Sequence, residues 1–344
     1  MARSETRRRF LAYLGATAFA TIAPWRRTAG DDASSSPTQT GREPSNTKTN
    51  PQARVAIARD DALTQGDLGK QRDRLRKMLD AAMQKLTDQT DAGTAWRQVF
   101  SPKQRLAIKV NALGLTTQPA VVEALTAALQ DAGVPARNIL IWDRFDVELA
   151  AAGFKLNKNG AGVRCRGTDA DRYGSGYQSD ITTSGRIGSC YSKILAEECD
   201  ALISVPVLKD HNLAGVSLGM KNFYGAIHNP NKYHDNNCDP FAADIVSHPL
   251  IRSKWKLTVI DGTRGQYHAG PGKHPGYAWP MGGLIVSTDW IAADAVGADL
   301  IDARRREAGL KSLAEEERPV RHIQTAGERG LGVADLKRIQ RIEV

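Results

Sequence analysis

The sequence predicts an α/β fold with a mostly parallel central sheet that is flanked by helices. Three observations indicate this class. Along residues 53–344, short apolar runs bounded by turn residues alternate with amphipathic segments of helical length. Several of these runs are apolar without alternation, which is typical of strands that are buried on both faces. The region holds about 290 residues, enough to bury a large core.

In the first half of this region, strand and helix patterns alternate. The second helix begins with Pro119 and ends at Gly133, positions that these residue types favour. The predicted elements are strands at 53–59, 104–111 and 138–143 and helices at 71–88 and 119–133.

The second half begins with an irregular excursion at 157–190, which is rich in Gly, Ser, Thr and Asp and is not expected to enter the core. The order of strand and helix patterns then resumes, and the chain closes with a helix, a Gly turn and a strand. The predicted elements are strands at 199–207, 254–261 and 282–288 and a helix at 289–309.

Residues 1–30 resemble an export signal and are expected to lie outside the fold. Arg7 and Arg8 precede Phe10-Leu11, the arrangement of a twin-arginine signal, and a weakly apolar stretch follows. This stretch is too short and too rich in Gly and Thr to span a bilayer. An ordinary export signal or an N-terminal anchor is the alternative. We expect export by the twin-arginine machinery, to the periplasm or an equivalent location.

Residues 31–52 are rich in Ser, Thr, Pro and Asn and predict a disordered linker before a domain at 53–344. No later apolar run is long enough for a membrane span. The net charge of +9 depends largely on the signal, because residues 1–30 carry six arginines and one glutamate. No basic stripe with interleaved aromatic residues remains, so nucleic acid is not an expected partner.

The four cysteines form no C-x-x-C pair, so the chain contains no self-contained ligand set for an iron–sulfur cluster. In an oxidising compartment, disulfides are the simpler expectation. We expect Cys165 to pair with Cys190 or Cys199.

Charged side chains follow several predicted strands. Ligands of parallel α/β sheets bind at the carboxyl ends of the strands, so these positions are candidates for a site. Lys109 and Asn111 end the second strand, Asp143 ends the third, and Asp261 ends the fifth. A buried, unpaired ammonium would be costly, which favours a functional role for Lys109. A lone Asp after a strand is otherwise often a helix cap.

The segment 208–234 is the strongest candidate for a binding site. Lys209 and His211 follow a buried strand pattern, and Lys221 and Asn222 end a short helix pattern. The helical spacing rests on the apolar residues Leu213, Val216 and Met220. We expect the polar ends of this segment to bind a small anion such as a phosphate or carboxylate. A solvated loop with structural caps is the alternative.

His228, His234 and Cys238 lie in a loop rich in Asn and could hold a divalent metal. A further ligand would come from Asp235, Asp239 or Asp261. The spacing matches no standard metal signature, and polar loop contacts or a place in the active-site lining are the alternative.

Several ordered motifs resemble the DUF362 family, a domain of unknown function. The motifs are LAIKVN (106–111), LISVPVLKDH (202–211), GVSLGMKNFYG (215–225), the following His234, LTVIDG (257–262) and IQTAGERGLGVADLKRI (323–339). The resemblance implies that Lys109 and Asn111, Lys209 and His211, and Lys221, Asn222 and Gly225 belong to the family's site. Many members carry an appended ferredoxin-type domain with iron–sulfur clusters. This chain lacks such a cysteine run.

Together, these patterns predict an exported enzyme, an oxidoreductase or a metal-dependent enzyme, that binds a small anionic substrate or cofactor. The predicted catalytic residues are Lys209, His211 and Asp261. The predicted substrate-binding residues are Lys109, Asn111, Asp143, Lys221 and Asn222. His211 has an ordinary pKa of about 6.5 and would transfer a proton. The alternative is a non-catalytic periplasmic binding protein for an anionic ligand or metal.

Overall fold

The computed structural model describes residues 53–169 and 176–344; the predicted signal and linker lie outside the described residues. The strands are β1 Ala53–Arg59, β2 Leu106–Val110, β3 Ile139–Asp143, β4 Arg164–Gly167, β5 Thr182–Ser184, β6 Ile187–Ser189, β7 Ala201–Val205, β8 Val207–His211, β9 Gly215–Val216, β10 Trp255–Gln266, β11 Ala278–Trp279, β12 Gly283–Ser287 and β13 Ile339–Glu343. The helices are α1 Arg72–Thr87, α2 Ala92–Val99, α3 Pro119–Asp131, α4 Asp146–Ala151, α5 Gly219–Asn222, α6 Phe241–Ser247, α7 Pro249–Arg252, α8 Trp290–Glu307 and α9 Arg321–Glu328.

The central sheet confirms the predicted α/β class. Its strand order is β13-β1-β12-β10-β7-β2-β3-β4. From β10 to β4, neighbouring strands run parallel, whereas β12 is antiparallel to both β1 and β10. The connection from β10 to β12 contains no long crossover helix, which suits an antiparallel pair. The sheet is therefore mixed, with a parallel half.

Helices cover both faces of the sheet. In β1, Ala56 and Ala58 pack into one core with α1, α2 and α3, whereas Val55 and Ile57 pack into the opposite core with α8 and α9. Successive side chains of a strand point to opposite faces, so a strand buried on both faces reads as a continuous apolar run. The apolar runs in the sequence have this cause.

β7 and β8 form one nearly continuous strand that is interrupted at Pro206. The long strand β10 pairs in parallel with β7 along its first part and with β8 along its second part. β8 thus extends the sheet past the end of β7. This extension carries Lys209 and His211 within a strand, rather than just after the end of one as the sequence predicted.

Three expectations were wrong in detail. The excursion at 157–190 supplies β4, the edge strand of the main sheet, besides the β5–β6 hairpin. The predicted helix through Leu213, Val216 and Met220 is helical only over Gly219–Asn222, because Gly215–Val216 pairs with β8 as β9. All four cysteines are free, so the expected disulfide is absent. Within the described ranges, no helix combines the length and apolar character needed to cross a membrane.

Candidate functional site

A cavity of about 200 Å³ lies at the carboxyl ends of β2, β3 and β7, where β8 and the α5 segment close over it. Most of the predicted site residues line it: Lys109, Asn111, Asp143, Lys209, His211, Lys221, Asn222 and His234. Strand ends deliver Lys109, Asn111 and Asp143 to one edge of the sheet, β8 carries Lys209 and His211, and α5 and the following loop supply the others. Arg144, Glu148 and Tyr224 also line the cavity and were not selected from the sequence. Arg144 directly follows Asp143, and this position is the one feature of the sequence that could have identified it as a site residue.

Lys109 and Asp143 form a buried ion pair at one side of the cavity. The ammonium of Lys109 also donates to the Val110 carbonyl at 2.7 Å and to Asn222 Oδ1 at 3.3 Å. Asp143 accepts a second bond from the backbone N–H of Ala112 at 2.7 Å. Burial lowers the pKa of Lys109, and the charge of Asp143 opposes that shift. Every N–H of this ammonium therefore has a partner inside the protein.

Gly225 makes this pair possible. A Cβ at this position would lie 2.7 Å from Asp143 Oδ1 and 3.1 Å from Lys109 Nζ. Since the backbone approaches the ion pair this closely, a side chain would displace it.

Lys209 meets three backbone carbonyls instead of a carboxylate. Its ammonium donates to Leu113 O at 2.9 Å, Leu115 O at 2.8 Å and Pro271 O at 3.3 Å. Burial lowers the pKa of Lys209 to about 7. Three acceptors require three N–H donors, however, and this geometry favours the ammonium. Asn111 donates to the same Leu113 and Leu115 carbonyls, so it shapes the turn that receives Lys209.

His211 is a neutral imidazole in this environment. Its Nδ1 accepts from the backbone N–H groups of Leu213 at 3.1 Å and Ala214 at 3.3 Å, so the ring proton lies on Nε2. Burial and then the charge of Lys221 lower the pKa of His211 to about 2. Such a ring is a weak base. Its Nε2–H has no acceptor in the part of the chain that the structure describes, and a ligand in the cavity could use it.

Lys221 lies among an imidazole, a cysteine and an aromatic ring. Its Nζ contacts His234 Nε2 at 3.1 Å and Cys238 Sγ at 3.4 Å, and it lies 3.4 Å from the centroid of the Tyr224 ring. His234 Nδ1 is 3.1 Å from the Pro230 carbonyl, which can only accept, so His234 Nε2 is the unprotonated nitrogen. Burial lowers the pKa of Lys221 to about 8, with Cys238 opposing the shift.

The buried imidazole of His322 belongs to the same surroundings and was missed by the sequence analysis. It is on α9, and its Nδ1 has no hydrogen-bond partner among the described residues. Burial and then the charge of Lys221 lower its pKa to about 3. No local sequence signal separates it from an ordinary helix residue.

Asp261 does not line the cavity. Its Oδ2 accepts from the backbone N–H of Gln118 at 2.8 Å, next to the first residue of α3, and its Oδ1 accepts from the N–H and hydroxyl of Thr263. Both carboxylate oxygens are thus used, one at the start of α3 and the other within β10. The structure therefore separates Asp261 from Lys209 and His211, with which it was grouped as catalytic.

The predicted metal ligands do not form a ligand set. His234 and Cys238 both contact Lys221, whereas the His228 ring packs at 5.2 Å against Tyr177, away from them. Across residues 53–169 and 176–344, no group of three His, Cys, Asp or Glu side chains is arranged to hold a metal ion. The Lys221 nitrogen occupies the position between His234 and Cys238, 3.1 Å from His234 Nε2 and 3.4 Å from Cys238 Sγ.

Comparison with known proteins gives one family. No curated protein matches the chain. The sequence matches the family described as "Domain of unknown function (DUF362)" over residues 106–299, more than half of its length and the part that contains β2 to most of α8. The chain belongs to the DUF362 family.

Proposed function

We propose that the cavity binds a small organic anion, a carboxylate or a phosphate, and that the protein is an enzyme acting on that anion. One observation carries the proposal. Lys209 and Lys221 are buried in the cavity wall, and neither has a carboxylate partner among the described residues.

The charge balance of the wall supports this proposal. Lys109, Arg144, Lys209 and Lys221 stand against the two carboxylates of Asp143 and Glu148. Burying a cation without an anion costs several kcal/mol, roughly the cost that a bound anion would offset. Since Lys109 is already neutralised by Asp143, the surplus positive charge lies on the other side of the cavity.

Proton transfer would use Lys221 and His234. His234 Nε2 is unprotonated and 3.1 Å from Lys221 Nζ, so a proton can pass between them. His211 would donate a neutral hydrogen bond from Nε2 to the bound anion. Strongly shifted pKa values of this kind gather at functional sites more often than elsewhere.

The test measures the melting temperature of the protein with inorganic phosphate and with small mono- and dicarboxylates. We expect at least one anion to stabilise the wild type, by about 2.7 kcal/mol at a hundredfold excess over its dissociation constant. Lys221→Met should lose this response. Lys232→Met is the matched control, because Lys232 is exposed in the neighbouring loop and outside the cavity. An unresponsive wild type would overturn the proposal.

Turnover separates an enzyme from a binding protein. The stabilising anion is incubated with the protein and followed by NMR. Chemical conversion that Lys221→Met abolishes supports the enzyme. Tight binding without conversion would favour the alternative, a non-catalytic binding protein.

We also propose export through the twin-arginine pathway, on the basis of Arg7, Arg8 and Phe10-Leu11. Replacing both Arg7 and Arg8 by Lys should retain the protein in the cytoplasm on cell fractionation. Replacing Arg26 and Arg27 by Lys makes the same charge-conserving substitution outside the motif and should leave export intact. Equal localisation of the two double variants would contradict this assignment.

A further inference from the structure

We propose that Lys221 is a nucleophile, and that its amine forms an imine with the carbonyl carbon of a small oxo acid. This inference rests on the anion-binding role proposed above and narrows the substrate to a class. It follows from comparing the three buried lysines of the cavity by the partners of their nitrogens.

Two of the lysines are committed to their ammonium form. Lys109 faces the carboxylate of Asp143 and two further oxygen acceptors. Lys209 faces three carbonyl oxygens. In either case, loss of a proton would turn a nitrogen lone pair toward an oxygen lone pair. Neither nitrogen is free to attack a ligand.

Lys221 has a different set of partners. Its nitrogen directs one N–H to His234 Nε2 and one to Cys238 Sγ, and its third position lies over the Tyr224 ring, 3.4 Å from the centroid. A ring face is a weaker acceptor than a carbonyl or carboxylate oxygen, so loss of the third proton costs less at Lys221 than at Lys109 or Lys209. Lys221 also lines the cavity. Burial increases the neutral fraction of the amine over that of an exposed lysine, since it lowers the pKa of Lys221 to about 8.

The rest of the cavity indicates the substrate class. An amine that forms an imine requires an aldehyde or ketone carbon. The charges of Lys209 and Arg144 and the Nε2–H of His211 suit a carboxylate on the same molecule. A cavity of about 200 Å³ is smaller than the sites of drug-sized ligands, which span about 300–1,000 Å³. Together these features fit a short oxo acid.

The step balances without an oxidant. The Lys221 lone pair forms the C–N bond, and the carbonyl oxygen takes up a proton that His234 relays from the amine. The carbinolamine then loses its hydroxyl group with a second proton as water, which leaves the C=N bond. The imine withdraws electrons from the neighbouring carbon–carbon and carbon–hydrogen bonds, where further reaction would occur.

The experiment traps this imine by reduction. Wild-type protein is incubated at pH 7 with glyoxylate, pyruvate or acetoacetate and sodium cyanoborohydride, and modified peptides are mapped by mass spectrometry. We expect Lys221 to gain, with pyruvate, one pyruvate less one oxygen atom. Labelling should be about 100-fold faster than at exposed lysines, because a larger fraction of the amine is unprotonated. Lys221→Arg should lose this adduct, with Lys232→Arg as the control.

The outcomes separate this inference from the proposed function. If anions stabilise the wild type but none of the three oxo acids labels Lys221 faster than exposed lysines, the imine is wrong and the anion site stands. If no anion stabilises the protein, the anion site itself fails. Because the adduct is mapped in wild type, a poorly folded variant does not leave the question open.

Discussion

The two faces of β8 carry buried charge in opposite ways. Lys209 and His211 point into the cavity, whereas Asp210 between them points to the other face, as the period of a strand requires. Asp210 is fully buried and lies 3.1 Å from Arg318 and 3.9 Å from Arg305. One face has carboxylates for its cations, and the other has a surplus of cations.

The face of β8 that carries Asp210, here called the balanced face, holds segments of the chain together. Besides Asp210, Arg305 contacts Glu316 at 2.6 Å and donates to the carbonyls of Lys311 and Tyr267. These bonds join α8 to the chain before β11 and to the loop before α9. Where every buried charge has a partner of opposite sign, the arrangement is sufficient for structure. On the cavity face, the cationic side chains outnumber the carboxylates, and protein contacts alone do not explain this excess. The cavity face is therefore where a ligand is to be sought.

The largest expected effect comes from breaking the balanced face. Arg305→Met should lower the free energy of unfolding by about 3–5 kcal/mol, because Asp210 and Glu316 lose a buried partner. Urea denaturation measures this loss. Arg306→Met is the control on the same helix, since Arg306 pairs with Asp302 at the surface and should cost under about 1 kcal/mol. Equal effects of the two variants would break the comparison.

A second prediction concerns the cavity face and uses the pH dependence of stability to test the pKa of Lys221. Between about pH 8 and 10.5, Lys221 is protonated in the unfolded chain and largely neutral in the folded protein. The unfolded state then binds more protons, so stability rises with pH, by about 3 kcal/mol over this window. Lys221→Met should lack this contribution.

The measurement is the difference in unfolding free energy between wild type and Lys221→Met at several pH values. The titratable groups nearest to Lys221 are His211, His234, Cys238, Tyr224 and His322, and they remain in both proteins. A difference that is independent of pH would show that Lys221 keeps its ordinary pKa.

The smallest effect is expected for the apo protein at pH 7. Replacing a buried cation that lacks a carboxylate partner removes the cost of taking that cation out of water and leaves no buried anion unpaired. Lys221→Met should therefore either raise the unfolding free energy or lower it by at most about 1 kcal/mol. A loss as large as that of Arg305→Met would mean that Lys221 is as structural as the opposite face.

Much of the fold was predictable from the sequence. The apolar run at 53–59 is β1 with the same bounds, and the amphipathic pattern at 71–88 contains α1. β4 was missed because an edge strand with Gly167 and two arginines lacks the continuous apolar run of a central strand. The short helix was overextended because Leu213 and Val216 fit helical spacing by chance, while Leu213 is exposed.

Part of the candidate site was predictable as well. Lys109, Lys209 and Lys221 each follow or enter an apolar segment, and parallel strands bring such positions to one edge. The outcomes for Asp261 and His228 could not be predicted, because residue type does not reveal which backbone N–H or ring a side chain meets. His322 likewise depends on the packing of α9, far along the chain.

The sequence by itself determined the alternation of strands and helices and the set of polar residues at the strand ends, since burial on both faces dictates apolar runs locally. Only the tertiary structure decided which of these polar residues are neutralised. Lys109 meets Asp143 across 34 positions of sequence, while Lys221 meets no carboxylate among the described residues. Partner choice among buried charges depends on distances of a few ångströms, and these arise from packing between segments that are remote in the chain.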